Sequence, residues 1–213
     1  VAGKTLLEHA TTQIGTWSTP CQLIIVAPAG WEEPARQLTQ TSPNPVTVVT
    51  GGHTRTESVR AGLAAMNHDV EYVLIHDAAR ALMPTSVFDR VQEALVAGAS
   101  GVIPELPVVD TLITLNRSSG LTAGAPERDT LGRVQTPQGF KKSALVDAYA
   151  AVSGDYTDDA AVLRAAGLEV IAVAGDEAGF KITYSGDLEQ ARRLLEGGVG
   201  TRVATATDVH GFD

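Results

Sequence analysis

Cysteine occurs once in the 213 residues, at Cys21, which rules out an intrachain disulfide, a four-thiolate zinc site and a disulfide-stapled extracellular scaffold. Positive charge is also scarce: 16 Lys and Arg stand against 25 Asp and Glu, a formal charge of −9. A chain this acidic is a poor binder of phosphate backbones, so no nucleic-acid partner is expected. Small phosphate-bearing molecules stay open, because a few local cations outweigh the global field at one site. No apolar run approaches the roughly 20 residues that cross a bilayer. Nor does a basic segment followed by an apolar one mark a secretion signal. The expectation is a cytoplasmic protein with no membrane partner. No His-Glu-x-x-His is present, and no strand is followed by Gly-x-Gly-x-x-Gly, which sets aside an NAD-dependent dehydrogenase. Ala2-Gly3-Lys4-Thr5 lacks the upstream glycine and strand of a phosphate loop and reads as a turn before a helix near Thr5.

What is there is a globular composition, 44% apolar and too apolar for a disordered chain. Apolar runs at Leu23–Ala27, Val46–Val49, Tyr72–Ile75 and Ser100–Ile103 predict strands. Because these runs are continuous rather than alternating, the strands are expected to be covered on both faces, as in a parallel sheet. Helices are predicted over Ser58–Met66 and over Ser86–Ala97, where Val87, Val91 and Leu95 share a face, Thr85 or Ser86 caps the start and Gly98 stops the end. Val108–Leu115, the irregular stretch Asn116–Arg128 and Val134–Thr136 read as an excursion from the main sheet, a hairpin-like arm. A helix at Asp158–Ala166 ends at Gly167, strands follow at Val170–Val173 and Phe180–Thr183, and Leu188–Leu195 closes, capped by Ser185 or Asp187. The predicted class is α/β, a mostly parallel sheet with right-handed crossovers and a protruding β-arm, over residues 1–195. Residues 196–200 read as a linker, and 201–213 begin a new pattern.

In open α/β sheets ligands bind beyond the carboxyl ends of strands. Gly51-Gly52-His53-Thr54-Arg55-Thr56-Glu57-Ser58 follows one such end. Two glycines there allow close backbone approach to a ligand, and the next helix aims free N–H groups the same way. A tight turn with a capped helix explains the same residues. His76-Asp77-Ala78-Ala79-Arg80 follows another end. Asp77 has the chemistry to hold a divalent ion against phosphate oxygens, and Arg80 to grip a phosphate with two donors. A structural Asp–Arg pair is the alternative. Thr111 sits beside Asp110 on the arm, Arg128 and Thr136 flank its return, Thr157-Asp158-Asp159 opens a helix, and Lys181 is a cation within a predicted strand.

Together these segments resemble one family. Gly51-Gly52-x-x-Arg55-x-x-Ser58-Val59, His76-Asp77-Ala78-Ala79-Arg80, Asp110-Thr111, Thr136-Pro137-Gln138-Gly139-Phe140, Thr157-Asp158-Asp159 and Phe180-Lys181-Ile182-Thr183 are similar, in order and spacing, to the 2-C-methyl-D-erythritol 4-phosphate cytidylyltransferases of non-mevalonate isoprenoid synthesis. The resemblance implies a Rossmann-like nucleotidyltransferase domain whose β-arm reaches a partner in a homodimer. It implies transfer of CMP from CTP to the polyol phosphate with Mg²⁺. Gly51, Gly52, His53 and Ser58 would then lie around the nucleotide, with His53 departing from the acidic residue often found there. Asp77 would sit by the metal and the α-phosphate. Arg80, Thr111 and Thr136 would hold the polyol phosphate, and Arg128 and Lys181 would be the catalytic cations, with Arg128 and Thr136 supplied by the dimer-related arm. The reaction needs no protein nucleophile, because the attacking oxygen belongs to the substrate's own phosphate; cations and a metal are the equipment it requires.

The family's glycine-rich phosphate loop and first strand precede the segment resembling Gly3–Ala10 and do not lie in these 213 residues; with Val1 in place of Met, the expectation is a start further upstream. Arg202-Val203 and Asp208-Val209-His210-Gly211-Phe212 resemble the opening of the 2,4-cyclodiphosphate synthases, with which some bacteria fuse the transferase. That resemblance makes Asp208 and His210 ligands of a divalent metal, often zinc, and implies a higher oligomer if the fusion holds. A transferase acting on ribitol 5-phosphate and a nucleotide-binding module without catalysis are the remaining readings.

Overall fold

The computed structural model describes residues 1–154 and 156–197. The first half alternates helix and strand. Helix α1 (Leu6–Gly15) starts at a capping box, in which Thr5 takes the Glu8 N–H and the Glu8 carboxylate takes the Thr5 N–H. Strand β1 (Leu23–Ala27), helix α2 (Glu32–Thr39), strand β2 (Val46–Thr50), helix α3 (Arg55–Ala64), strand β3 (Tyr72–Ile75) and helix α4 (Thr85–Val96) follow. The arm occupies the middle: β4 (Gly101–Pro107) leads to a short hairpin of β5 (Thr114–Leu115) and β6 (Thr122–Gly124), and β7 (Gly132–Val134) and β8 (Gln138–Lys141) return. Helices α5 (Lys142–Ala151) and α6 (Asp159–Ala165), strand β9 (Val170–Ala174) and helix α7 (Ser185–Leu195) complete the described chain.

The strands form two main sheets. β1 and β2 pair in parallel, Leu23 opposite Val46 and Ala27 opposite Thr50. In the larger sheet β8 lies between β3 and β4, antiparallel to both, while β7 continues the antiparallel pairing further along β4 and β9 runs parallel to β4. The expected mostly parallel sheet is therefore corrected: only β1–β2 and β4–β9 are parallel pairs among the described strands. β3, β4 and β9 do share one direction, but the returning arm inserts itself between the first two. A continuous apolar run reports burial of both faces and not strand direction, so it could not reveal this.

The larger sheet is buried on both faces. Val91 and Leu95 of α4 pack on Val102 of β4 from one side. Leu145, Ala148 and Tyr149 of α5 and Val162 and Leu163 of α6 pack on Phe140 from the other. Gly139 is required here, because a Cβ would lie 2.3 Å from Val91 Cγ1. Between β1 and β3 runs an apolar cleft of about 890 Å³, lined by both strands and by α1 and α3. No helix of the described residues is long and apolar enough to cross a membrane.

Some expected boundaries move. α3 begins at Arg55 rather than Ser58, because Thr54 and Glu57 form its capping box. α4 begins after Pro84, with no side-chain cap from Thr85 or Ser86. Phe180–Thr183 is not a strand: this extended segment is tied to its neighbours by the Ile182 N–H donating to Ala79 O. Asp158 caps α6, and Gly167 ends it in the left-handed conformation at φ 79°. The second-domain residues, Asp208 and His210 included, lie outside the described residues, as do 198–200 of the expected linker.

Candidate active site

Three connections meet at the rim beyond β2 and β3: the turn before α3, the segment after β3, and the extended segment before α7. The last is brought in by buried Gln135. Its amide takes the Asp176 N–H at 3.0 Å and donates to the Asp176 carbonyl at 2.9 Å. Arg80 adds a second tie, donating to Gly179 O at 2.9 Å and Val134 O at 3.1 Å, while its Nε is buried without a partner. These bonds deliver Lys181, whose Nζ lies 2.9 Å from Asp77 Oδ2.

Asp77 is the carboxylate that meets Lys181 at this rim, and it is positioned through its backbone. Its N–H donates to Thr136 Oγ at 3.0 Å, and the same hydroxyl lies 3.0 Å from His76 Nδ1. Thr136 is thus 6% exposed, with its hydroxyl committed to shaping the rim. Burial pushes the Asp77 carboxyl up, but Lys181 first, then Arg55 and Arg80, outweigh it and hold it below its ordinary range. Burial drives His76 down to about 4, with the Asp77 charge opposing, so the imidazole is neutral at neutral pH. The Asp–Arg alternative is not what forms: Asp77 pairs with Lys181, and Arg80 meets it by donating its backbone N–H to Asp77 O.

The turn before α3 satisfies its own polar groups. Ser58 Oγ accepts from the Gly52 N–H at 3.1 Å and donates to Thr54 O at 2.9 Å. A Cβ on Gly51 would lie 2.8 Å from Ser58 Oγ, and one on Gly52 would lie 2.1 Å from Glu57 Cβ. Both glycines are therefore demanded by the packing of the turn itself. His53 is exposed at its tip, its N–H held by Glu57 Oε2 at 2.6 Å.

Thr111 and Arg128 are together, but elsewhere. Both line a separate pocket of about 490 Å³ on the arm, with Leu112, Pro126, Glu127 and Asp129, and Arg128 donates to Val109 O at 3.1 Å. That pocket shares no lining residue with the cleft beside Asp77. Within one chain the structure thus unites Asp77, Arg80, Thr136 and Lys181, and sets Thr111 and Arg128 apart. The arm also carries exposed apolar side chains, Val109, Leu112, Ile113, Leu115 and Leu121.

A single half-buried carboxylate among cations suits one kind of metal. Mg²⁺ binds through one or two carboxylates and completes its shell with substrate phosphates and water. Among the described residues no group of three or more His, Cys, Asp or Glu side chains could cage an ion. Asp77 fits a Mg²⁺ that arrives with a phosphate.

The sequence profile of the 2-C-methyl-D-erythritol 4-phosphate cytidylyltransferases matches residues 1–197. The chain belongs to this family. It is 44% identical over 198 residues to the 2-C-methyl-D-erythritol 4-phosphate cytidylyltransferase of Rhodococcus jostii, covering 93% of this chain and 85% of that one. It is 40% identical over 224 residues to a bifunctional IspD/IspF enzyme of Clavibacter michiganensis, aligning along all of this chain but spanning 54% of that protein. Among solved structures, the 4-diphosphocytidyl-2C-methyl-D-erythritol synthase of Anaerococcus prevotii superposes with a TM-score of 0.83 at 25% identity, covering 92% of this chain and 88% of that one. The Thermus thermophilus cytidylyltransferase does so at 0.76 and 31%, covering 92% and 91%.

The rim also holds Arg55 and Asp159, which the sequence motifs contain but to which reading the sequence gave no role in the site. Arg55 pairs with Asp159, which is wholly buried, and Tyr149 Oη donates to the same carboxylate at 2.6 Å. Asp159 was legible only as a first-turn helix acid. Its partner lies 104 residues away, a distance that no local spacing encodes.

Proposed function

We propose that the protein transfers the cytidylyl group of CTP to 2-C-methyl-D-erythritol 4-phosphate and releases pyrophosphate. The observation that carries this reading is the Asp77–Lys181 pair, a carboxylate and a lysine at 2.9 Å at the rim of the sheet, flanked by Arg80. A phosphate oxygen of the polyol attacks the α-phosphorus of CTP. The new O–P bond forms as the bond to the bridging oxygen breaks, and pyrophosphate carries away the electron pair. The barrier is the repulsion of two polyanions plus the charge growing on the α-phosphate.

Each residue has a share of that task. Asp77 is the carboxylate that would hold Mg²⁺, which when bound neutralises charge on the nucleotide phosphates. Lys181, released from Asp77 when the anions enter, faces the attacking phosphate. Arg80 fixes the segments around these groups and adds positive charge beside the phosphates. Gly51, Gly52, His53 and Ser58 form the rigid turn against which the nucleoside rests. Thr136 acts from behind, through Asp77 and His76.

Thr111 and Arg128 enter this site from a second copy in a homodimer. Two observations support that: Arg128 lies in a different pocket from Asp77 within one chain, and the arm that bears it exposes large apolar side chains such as Val109, Ile113 and Leu121. A homodimer that exchanges arms would cover this apolar surface and complete two equivalent sites.

The test is pyrophosphate release by the purified protein with CTP and Mg²⁺, offering 2-C-methyl-D-erythritol 4-phosphate and ribitol 5-phosphate in parallel. Turnover confined to the first supports the reading, and turnover preferring the second, or none with either, contradicts it. A second activity, cyclodiphosphate synthesis on a zinc or similar ion held by Asp208 and His210, is a further reading, motivated by an alignment that runs along all of this chain and 54% of the bifunctional enzyme. Formation of the cyclic product by the full-length protein, abolished by Asp208→Ala, is its check.

A further inference from the structure

Arg55 is the first residue of α3, one turn ahead of Ser58, and it lines the same cleft as Ser58, Asp77 and Ala78. From behind it is fixed by Asp159, which is 0% exposed and which also accepts from Tyr149 Oη at 2.6 Å. Only one of its five guanidinium donors, on Nη2, is used in this way; among the described residues no other acceptor meets its side chain. A third of that side chain remains exposed, at 34%, and the residue lines the cleft. Burial works against the Arg55 charge, yet Asp159 outweighs it and keeps the guanidinium firmly protonated, and the Asp77 charge is felt as well. Asp77 nevertheless pairs with Lys181 and not with Arg55, though both line the cleft.

A guanidinium clamped by a buried carboxylate has lost its rotamer freedom before any ligand arrives, so its remaining donors bind at low entropic cost. From its position beside the turn before α3 and facing Asp77, we propose that Arg55 is a further nucleotide-binding residue, presenting its free donors to the phosphoryl oxygens of the nucleoside triphosphate, with Asp159 and Tyr149 as its positioning residues. This rests on the cytidylyl-transfer reading above and adds a cation to it. A purely structural Arg55–Asp159 bridge would only join α3 to α6.

The experiment separates the two. In the full-length protein, Arg55→Gln leaves Asp159 buried and unpaired and is expected to lower thermal stability. The double variant Arg55→Gln/Asp159→Asn removes both charges while keeping an amide hydrogen bond, and is expected to restore the melting temperature. CTP binding by calorimetry in the presence of Mg²⁺, and KM for each substrate, are then measured on wild type, Arg55→Lys and the double variant. The expected result is that Kd and KM for CTP rise about tenfold or more in both, the usual worth of one charge-assisted contact, while KM for the polyol phosphate stays within about twofold. A double variant that is stable and binds CTP as wild type does would overturn the proposal and leave the bridge structural, and so would equal rises in both KM values. Failure of the wild-type protein to bind CTP or release pyrophosphate would instead remove the reading on which it rests.

Discussion

Lys181 reaches across the rim to Asp77, its Nζ 2.9 Å from Oδ2, so the carboxylate proposed to hold the metal and the ammonium proposed to meet phosphate neutralise each other in the ligand-free chain. Neither group performs its task while it holds the other. On the proposed reading, Asp77 would hold the metal that arrives with the triphosphate and Lys181 would turn to a phosphate, so one ion pair would be replaced by two. The site thereby avoids leaving a bare charge half-buried in the absence of ligand.

Replacing Asp77 by Asn removes the negative partner and leaves the shape. Pyrophosphate release is expected to fall by about a hundredfold or more, the scale of losing one group that stabilises the charge of the transition state, and the Mg²⁺ concentration for half-maximal rate is expected to rise. A metal titration of the initial rate checks both. Unchanged metal dependence would make Asp77 a structural acid.

Thr136 serves the site through its hydroxyl. Thr136→Val leaves the Asp77 N–H without an acceptor, at about 1–3 kcal/mol for one buried unpaired donor, and loosens the carboxylate that follows. Denaturant unfolding is expected to show that loss, with kcat falling further than KM for either substrate changes. Thr136→Ser retains the hydroxyl and is expected to recover most of both.

His76 gives the protein a pH-dependent weakness. Its folded value of about 4 lies below the ordinary 6.5, so in that interval the unfolded chain takes up a proton that the folded one refuses. Stability is therefore highest above 6.5 and falls as pH drops from 6.5 toward 4, by at most about 1.4 kcal/mol per unit for one such group. Asp77 adds to the loss at lower pH, since its folded carboxyl is held below the ordinary value and its contribution disappears when it is protonated. Chemical denaturation across pH 4–7 on wild type and His76→Gln checks this; the variant is expected to show a flatter curve over that range.

The exposed apolar side chains of the arm give a prediction about assembly. Ile113 and Leu121 are 55% and 69% exposed in the single chain. Ile113→Glu/Leu121→Glu places charge where the proposed partner packs, and sedimentation analysis is expected to show a shift from dimer to monomer together with loss of turnover. A wild-type monomer at assay concentration would contradict the arm-exchange reading.

Much of this site was legible because its parts sit at strand ends. Asp77 and Arg80 follow an apolar run directly, and Lys181 stood out as a cation amid apolar neighbours. The direction of β8 was not legible, since Gln138-Gly139-Phe140-Lys141 neither alternates nor runs apolar. Gln138 is buried because its amide meets Asp158 and the Ala160 N–H, and Gly139 because α4 leaves no room for a Cβ. The strand expected at Phe180–Thr183 failed for a related reason: its apolar residues face a core, but a single backbone bond from the Ile182 N–H to Ala79 O, with side-chain ties from Gln135 and Arg80 to Asp176 and Gly179 just before it, holds the segment instead of a ladder. The pairing of Arg55 with Asp159 arises only when α3 and α6 come together, so no reading of local spacing reaches it.

Subunit complementation between Arg128→Ala and Lys181→Ala decides whether the arm of one copy serves the site of the other. Each variant alone is expected to be nearly inactive. If the arm of one copy completes the site of the other, random mixing with subunit exchange gives half hetero-dimers, each with one intact site, and activity returns to about one quarter of wild type. If both residues act within one chain, every site keeps one defect, and activity in the mixture that stays at the level of the separate variants would contradict the account.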